Sequence, residues 1–268
     1  MSNRIDNLYS YNGGIYERRS RVDAQAGFVL ATAASALLYK LLPSFSNPFL
    51  KQMKNEHSKN YLYRDVFMDA INMSGLKDKG LKIRHMDLSQ AESVLPPKEV
   101  VNYDVKSGLN AFFSPFTKEI YLNLNKSTIT GFHELGHAMN NMSSFAGKCL
   151  QKLRVPGYWV AGSMGTIALF SRRKPKDAPK DAFDKIQDNC ALIAVAGMVP
   201  TVAEEAMASA NGIKIAKQAG LKQDLIKNLK KFYGKALLSY VGYAAVTGLS
   251  VFAVSKITEA FTRPKKIY

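Results

Sequence analysis

Hydrophobic and polar residues separate along this chain first on a long scale. Residues 24–42 are apolar apart from Gln25 and Lys40, and residues 157–170, 189–203 and 236–254 form three further stretches poor in charge. The first and last approach the ~20 residues a helix needs to cross a bilayer. The middle two, about 15 residues each, are short for a span and suit either buried core helices or a hairpin dipping into a membrane. Their Gly, Ala, Ser and Thr content favours close helix packing in lipid.

On a shorter scale the pattern changes period. Lys118-Glu119-Ile120-Tyr121-Leu122-Asn123-Leu124 alternates polar and apolar residues, which predicts a half-buried strand. Ser127 or Thr128 can then cap a helix that runs through residues 133–137. Residues 61–73 read as a helix, after which the chain turns loop-rich, with Pro96-Pro97 marking a connection. The polar segment 1–22, with Asn12-Gly13-Gly14, reads as flexible. The expected fold class is mainly α with a small β-sheet (α+β).

Charge narrows the setting. The 268 residues carry a formal charge of +16 with 47% hydrophobic content, which suits an acidic phospholipid surface at least as well as nucleic acid. No RNP-type strand or zinc-finger cysteine spacing is present and the basic residues are scattered, so no nucleic-acid partner is expected. Cys149 and Cys190 define no disulfide framework.

Arg18, Arg19 and Arg21 precede the first apolar stretch, Arg172 to Lys176 join the second to the third, and Arg263, Lys265 and Lys266 follow the last. With four spans these clusters fall on one side, as the positive-inside tendency asks. Seven lysines in 214–235 blur that asymmetry. Two spans, formed by the first and last stretches, are equally compatible. The expectation is a multi-pass membrane protein of two to four spans whose N-terminal stretch is an uncleaved anchor.

The chemistry sits in His133-Glu134-Leu135-Gly136-His137. Histidines four apart share one helical face, so both imidazoles can reach one metal ion, and the intervening glutamate points beside it. Gly136 permits close approach of another backbone. A catalytic zinc takes three protein ligands and a water, so one ligand must come from elsewhere. The position six residues beyond His137 is Ser143, not a third histidine, and His57 and His85 read as ordinary surface residues. Glu204-Glu205, on an apolar, helix-prone segment, is the remaining source: carboxylates there are costly to bury unless compensated, and a metal would do so. The competing explanation is a glutamate pair at a solvent or membrane boundary. Helical neighbours diverge by about 100°, so only one of the two can ligate.

These residues resemble zinc metallopeptidases of the gluzincin type, in particular the membrane-embedded CaaX prenyl endopeptidase-like and heat-shock-protease-like branch. In that group the third ligand is a glutamate followed by two variable residues, a small residue and an aspartate. Glu205-Ala206-Met207-Ala208-Ser209 is similar, with Ser209 in place of the aspartate. The resemblance implies His133, His137 and Glu205 as metal ligands, with Glu204 as the alternative, and Ser209 as a hydroxyl orienting a ligand. Asn141 stands where thermolysin-like enzymes carry an acidic residue holding a ligand imidazole, and its amide oxygen offers a weaker acceptor. Asn110-Ala111-Phe112 before the strand resembles the family's Asn-Ala-Phe segment, where an edge strand pairs with an extended peptide.

The resemblance covers roughly residues 105–212 and implies a zincin-like core with one Zn2+ per chain, Glu134 as general base and a polypeptide substrate. The implied organisation is a polar 1–22, an anchor helix 23–42, a core 43–212 that includes the apolar helices 157–170 and 189–203, a basic helical segment 213–235, a membrane helix 236–256 and a basic tail 257–268. Tyr233, Tyr240 and Tyr243 follow the third ligand, but packing or a membrane interface accounts for each, so the donor for a developing oxyanion is not legible. A soluble peptidase with buried core helices and a non-enzymatic membrane protein with a structural metal site are the competing expectations. Substrate preference and oligomeric state are not legible either.

Overall fold

The computed structural model describes residues 8–11, 14–17, 21–87, 103–170 and 173–267. Strands β1 (Leu8–Tyr11) and β2 (Gly14–Glu17) lead into helices α1 (Arg21–Tyr39), α2 (Leu42–Glu56) and α3 (Tyr61–Met73), then β3 (Lys82–His85) and the short α4 (Tyr103–Ser107). Strands β4 (Ala111–Ser114) and β5 (Glu119–Leu122) precede α5 (Thr128–Ser143). Three long helices follow, α6 (Phe145–Phe170), α7 (Ala182–Gln218) and α8 (Gln223–Thr262), and the chain closes on β6 (Lys265–Lys266). The fold is mainly α with small sheets.

Two compact units divide these elements. One comprises residues 44–154 and 200–241, the other residues 1–43, 155–199 and 242–268, so the division falls inside α6, α7 and α8. In the first unit, a three-stranded sheet of order β3-β5-β4 sets β5 parallel to β3 and antiparallel to β4. Phe67, Ile71, Ile120, Leu122, Phe132, Leu135 and Phe232 belong to its core, all fully buried or nearly so. The expected half-buried strand is instead covered on both faces, and as the middle strand it is also paired along both edges. Burial of Glu119 there is compensated by Arg84, whose Nε and Nη2 reach Oε1 at 3.0 and 2.8 Å, and by the Tyr121 hydroxyl.

The start of α5 also differs from expectation. Ser127 precedes the helix without capping it, since its hydroxyl donates to the Asn123 carbonyl at 2.9 Å. Asn60, from the turn before α3, accepts from the Thr128 N–H at 2.7 Å and donates to the Leu124 carbonyl at 2.8 Å. A side chain distant in sequence thus supplies the cap.

In the other unit, small residues let backbones meet. A Cβ on Gly157 would lie 2.1 Å from the Gly197 carbonyl oxygen, and one on Gly27 would lie 2.6 Å from the Phe261 side chain. Three helical stretches, 22–59, 182–218 and 223–262, are long and apolar enough to cross a membrane; α6 is not among them. Of the segments expected as separate, 213–235 and 236–256, residues 223–235 run on into the second within α8, while residues 213–218 end α7 and the break lies at 219–222. Part of the stretch expected as flexible forms β1 and β2, and β2 pairs with β6 in the basic tail. Pro96-Pro97, Arg18, Arg19 and Arg172 lie outside the described residues.

Candidate metal centre

The site is built where α5 meets α7. A Cβ on Gly136 would lie 1.9 Å from the Ala208 carbonyl oxygen, and one on Gly212 would lie 2.3 Å from the Phe132 carbonyl oxygen. Both helices therefore approach at backbone distance, with glycine required on each side of the crossing. Three residues before Ala208 on the same helix, Glu205 is carried to the histidine face of α5.

His133, His137 and Glu205 each offer a ligand atom, and these atoms lie within 4.8 Å of one another; the cluster can hold a metal ion. His133 Nε2 is 3.0 Å from His137 Nε2 and 3.1 Å from Glu205 Oε2, and His137 Nε2 is 3.4 Å from that oxygen. The outer nitrogens are held too: His137 Nδ1 faces Glu204 Oε1 at 2.9 Å and His133 Nδ1 faces Ser209 Oγ at 3.1 Å. The Glu204 carboxylate accepts from His137 Nδ1, which leaves Nε2 as the nitrogen that faces inward, whereas the Ser209 hydroxyl can donate to or accept from His133 Nδ1.

The two glutamates hold different places. Glu205 meets both Nε2 atoms, whereas Glu204 stands behind His137, where it accepts from Asn140 Nδ2 at 2.9 Å and from Gln151 Nε2 at 2.9 Å. Their exposures of 0% and 2% exclude a boundary pair. Arg154 on α6 spans the two, with Nη1 2.9 Å from Glu204 Oε2 and Nη2 2.9 Å from Glu205 Oε1.

Asn141, expected against a ligand ring, donates instead to Gln151 Oε1 at 2.8 Å, so it lies one bond further out. Glu204 already occupies the imidazole position. Arg154, Gln151 and Asn140 were not legible as site residues; the only trace is a Gln151/Arg154 pair three apart, just before the apolar part of α6. His57 and His85 are half-buried backbone clamps, His57 Nε2 on the Gly108 carbonyl at 2.8 Å and His85 Nδ1 accepting from the Leu124 N–H at 3.2 Å.

Glu134, buried between the histidines in sequence, accepts from the Phe113 N–H at 2.8 Å. That bond turns the Phe113 amide away from β5, so this side of β4, an edge strand, faces the site. The Asn110 side chain accepts from the Ala111 N–H at 2.9 Å, and Phe112 stacks on Tyr121 with ring centres 4.7 Å apart. Tyr233 donates to the Ile129 carbonyl at 2.7 Å, Tyr240 lies beside the Glu205 carboxylate, and Tyr243 belongs to the other unit, packed edge-on to Tyr39.

Electrostatics follow the burial. Desolvation pushes the Glu134 carboxyl up, with the two imidazoles only partly opposing it. Burial disfavours a charged His137, but its hydrogen bonds to Glu204 and Glu205 outweigh that and carry the ring to about 10. A ligating imidazole is neutral, so uptake of an ion would release that proton. Compared in turn with family models, with curated proteins and with solved structures, the chain finds no match in any of the three.

Proposed function

We propose that this protein is a multi-pass membrane zinc endopeptidase that hydrolyses peptide bonds with Glu134 as general base. The observation that carries the reading is the convergence of two imidazole nitrogens and one carboxylate oxygen at 3.0–3.4 Å. Donors bound to one tetrahedral zinc at about 2.0–2.1 Å stand roughly 3.3 Å apart, which is the spacing these atoms have. Two nitrogens and an oxygen are also an ordinary catalytic zinc set, and the ligands' outer atoms are already engaged.

A zinc ion held by His133, His137 and Glu205 would polarise a carbonyl and bring a bound water's pKa toward about 7. Glu134 is placed to take the proton from an attacking water and return it to the leaving amine. The Phe113 N–H keeps one of its oxygens fixed while the other stays available. The outer edge of β4 lies beside the site and would meet an extended peptide through its carbonyls, since the Ala111 and Phe113 N–H groups are already taken by Asn110 and Glu134, with Asn110 and Phe112 shaping the approach. A structural metal site has no use for a glutamate beside the ligands, and this favours the enzyme over a non-enzymatic protein.

The three apolar helical stretches support location in a membrane. So does α1, where Val29, Leu30 and Leu37 are 63%, 50% and 63% exposed, apolar surface that lipid would cover.

Metal analysis of the detergent-purified protein tests the reading. One zinc per chain is expected in the native protein and near none in His133→Ala or Glu205→Ala. A native protein that takes up no divalent ion after metal loading sinks the proposal.

A further inference from the structure

We propose that Arg154 is a positioning residue of the metal centre, setting two of its three ligands through one guanidinium; this rests on the metal-centre reading above. Glu205 has two oxygens, and only one faces the histidines. The other, Oε1, is taken by Arg154 Nη2 at 2.9 Å. With Oε1 engaged, Glu205 would have one oxygen, Oε2, to give an ion, as suits a site that must also admit water.

The second ligand is set indirectly. Arg154 Nη1 holds Glu204 Oε2 at 2.9 Å, while Glu204 Oε1 faces His137 Nδ1 at 2.9 Å. Glu204 fixes the tautomer and rotation of His137 only while its own carboxylate is fixed. Gln151, one helical turn before Arg154, holds that same Oε1 at 2.9 Å and the His137 carbonyl at 3.0 Å. One face of α6 therefore grips the back of the site.

Charge gives a second reason. Glu204 and Glu205 are adjacent, both buried, and both ionised if they are to hold His137 and an ion. Arg154 is the cation in direct contact with both carboxylates. Removing it leaves two buried like charges side by side, and the cheapest relief is for Glu205 to turn from the histidines. A planar fork suits this bridge and a point charge does not, so lysine is no substitute.

The test uses the full chain in detergent micelles, stripped with chelator and titrated with Co2+ against a competing chelator, reading affinity and visible d–d bands. Native protein should bind Co2+ with the intense bands of a four-coordinate site. In Arg154→Ala the affinity should fall about 10–100-fold, the usual effect of losing a group that orients a ligand, with altered bands. Arg154→Lys should recover only part of it. In a Glu204→Gln background the same Arg154 changes should cost less, because one of the two bridged carboxylates has lost its charge.

Equal affinity and bands in native, Arg154→Ala and Arg154→Lys proteins overturn the inference while leaving the metal centre standing. Absence of Co2+ binding by the native protein overturns both. Should Arg154→Ala fail to fold, Arg154→Lys carries the test: unaltered affinity and bands there refute the bridge.

Discussion

Gly136 and Ala208 meet so closely that a single methyl on Gly136 would stand 1.9 Å from the Ala208 carbonyl oxygen. No side-chain rotation relieves a contact between a Cβ and a backbone atom, so α5 and α7 would have to part. Gly136→Ala should therefore destabilise the protein by about 1–3 kcal/mol, the usual scale of overpacking, despite alanine's better helix propensity. It should also lower metal content, because Glu205 moves with Ala208. Thermal unfolding in micelles together with metal analysis checks both, and an alanine variant with native stability and full metal would contradict the close crossing.

Glu134 borders the His133, His137 and Glu205 cluster without belonging to it. On the proposed peptidase reading, Glu134→Gln should keep bound zinc at the native level while proteolysis of an unfolded protein substrate falls by about 10²–10⁴-fold, the range lost with a general acid–base group. Equal turnover in the variant would remove Glu134 from the reaction.

Asn60 makes a cap from a distance. Asn60→Ala deletes hydrogen bonds to the Thr128 N–H and the Leu124 carbonyl, leaving buried groups unpaired at the start of the helix that carries both histidines. A loss of about 1–3 kcal/mol is expected from denaturant midpoints. Ser127→Ala should leave the Asn60 cap bond in place, so an Asn60→Ala effect no larger than that of an exposed alanine replacement would disprove the cap.

Acid should weaken the sheet through Glu119. Its burial would raise the carboxyl, but the Tyr121 hydroxyl and the Arg84 guanidinium outweigh that and hold it below the ordinary glutamate range. A pKa depressed in the folded state adds stability that is complete above the unfolded value near 4.5 and fades as pH falls through the folded one. Unfolding midpoints measured below pH 4.5 should therefore drop in the native protein and drop less in Glu119→Gln. Identical slopes would mean another group controls the acid limb.

The membrane reading is checked by alkaline carbonate extraction, which should leave the full chain in the membrane pellet. Release into the supernatant would mean that the apolar faces of α1, α7 and α8 are covered by protein rather than lipid.

Much of this was legible because it is local. The spacing of His133 and His137 is set by 3.6 residues per turn, so one helix aligns both rings whatever surrounds it. Apolar runs likewise declare long helices wherever they occur. The joining of residues 223–235 to 236–256 in one helix was missed because the basic-to-apolar change looked like a boundary, yet nothing in the backbone breaks there.

Relations between elements were decided by the tertiary structure alone. Sequence left Glu204 and Glu205 as alternatives; the α5–α7 crossing at Gly136 and Gly212 turns Glu205 to the Nε2 atoms and Glu204 to the back of His137. It offered Ser127 or Thr128 as the cap, both neighbours, whereas Asn60 arrives from the turn before α3. It left Arg154 only as part of a Gln151/Arg154 pair, because an arginine before an apolar run looks like any interface residue. Helix geometry fixes what lies one turn away. What lies across a contact depends on how closely two backbones can pack, and only the folded chain sets that distance.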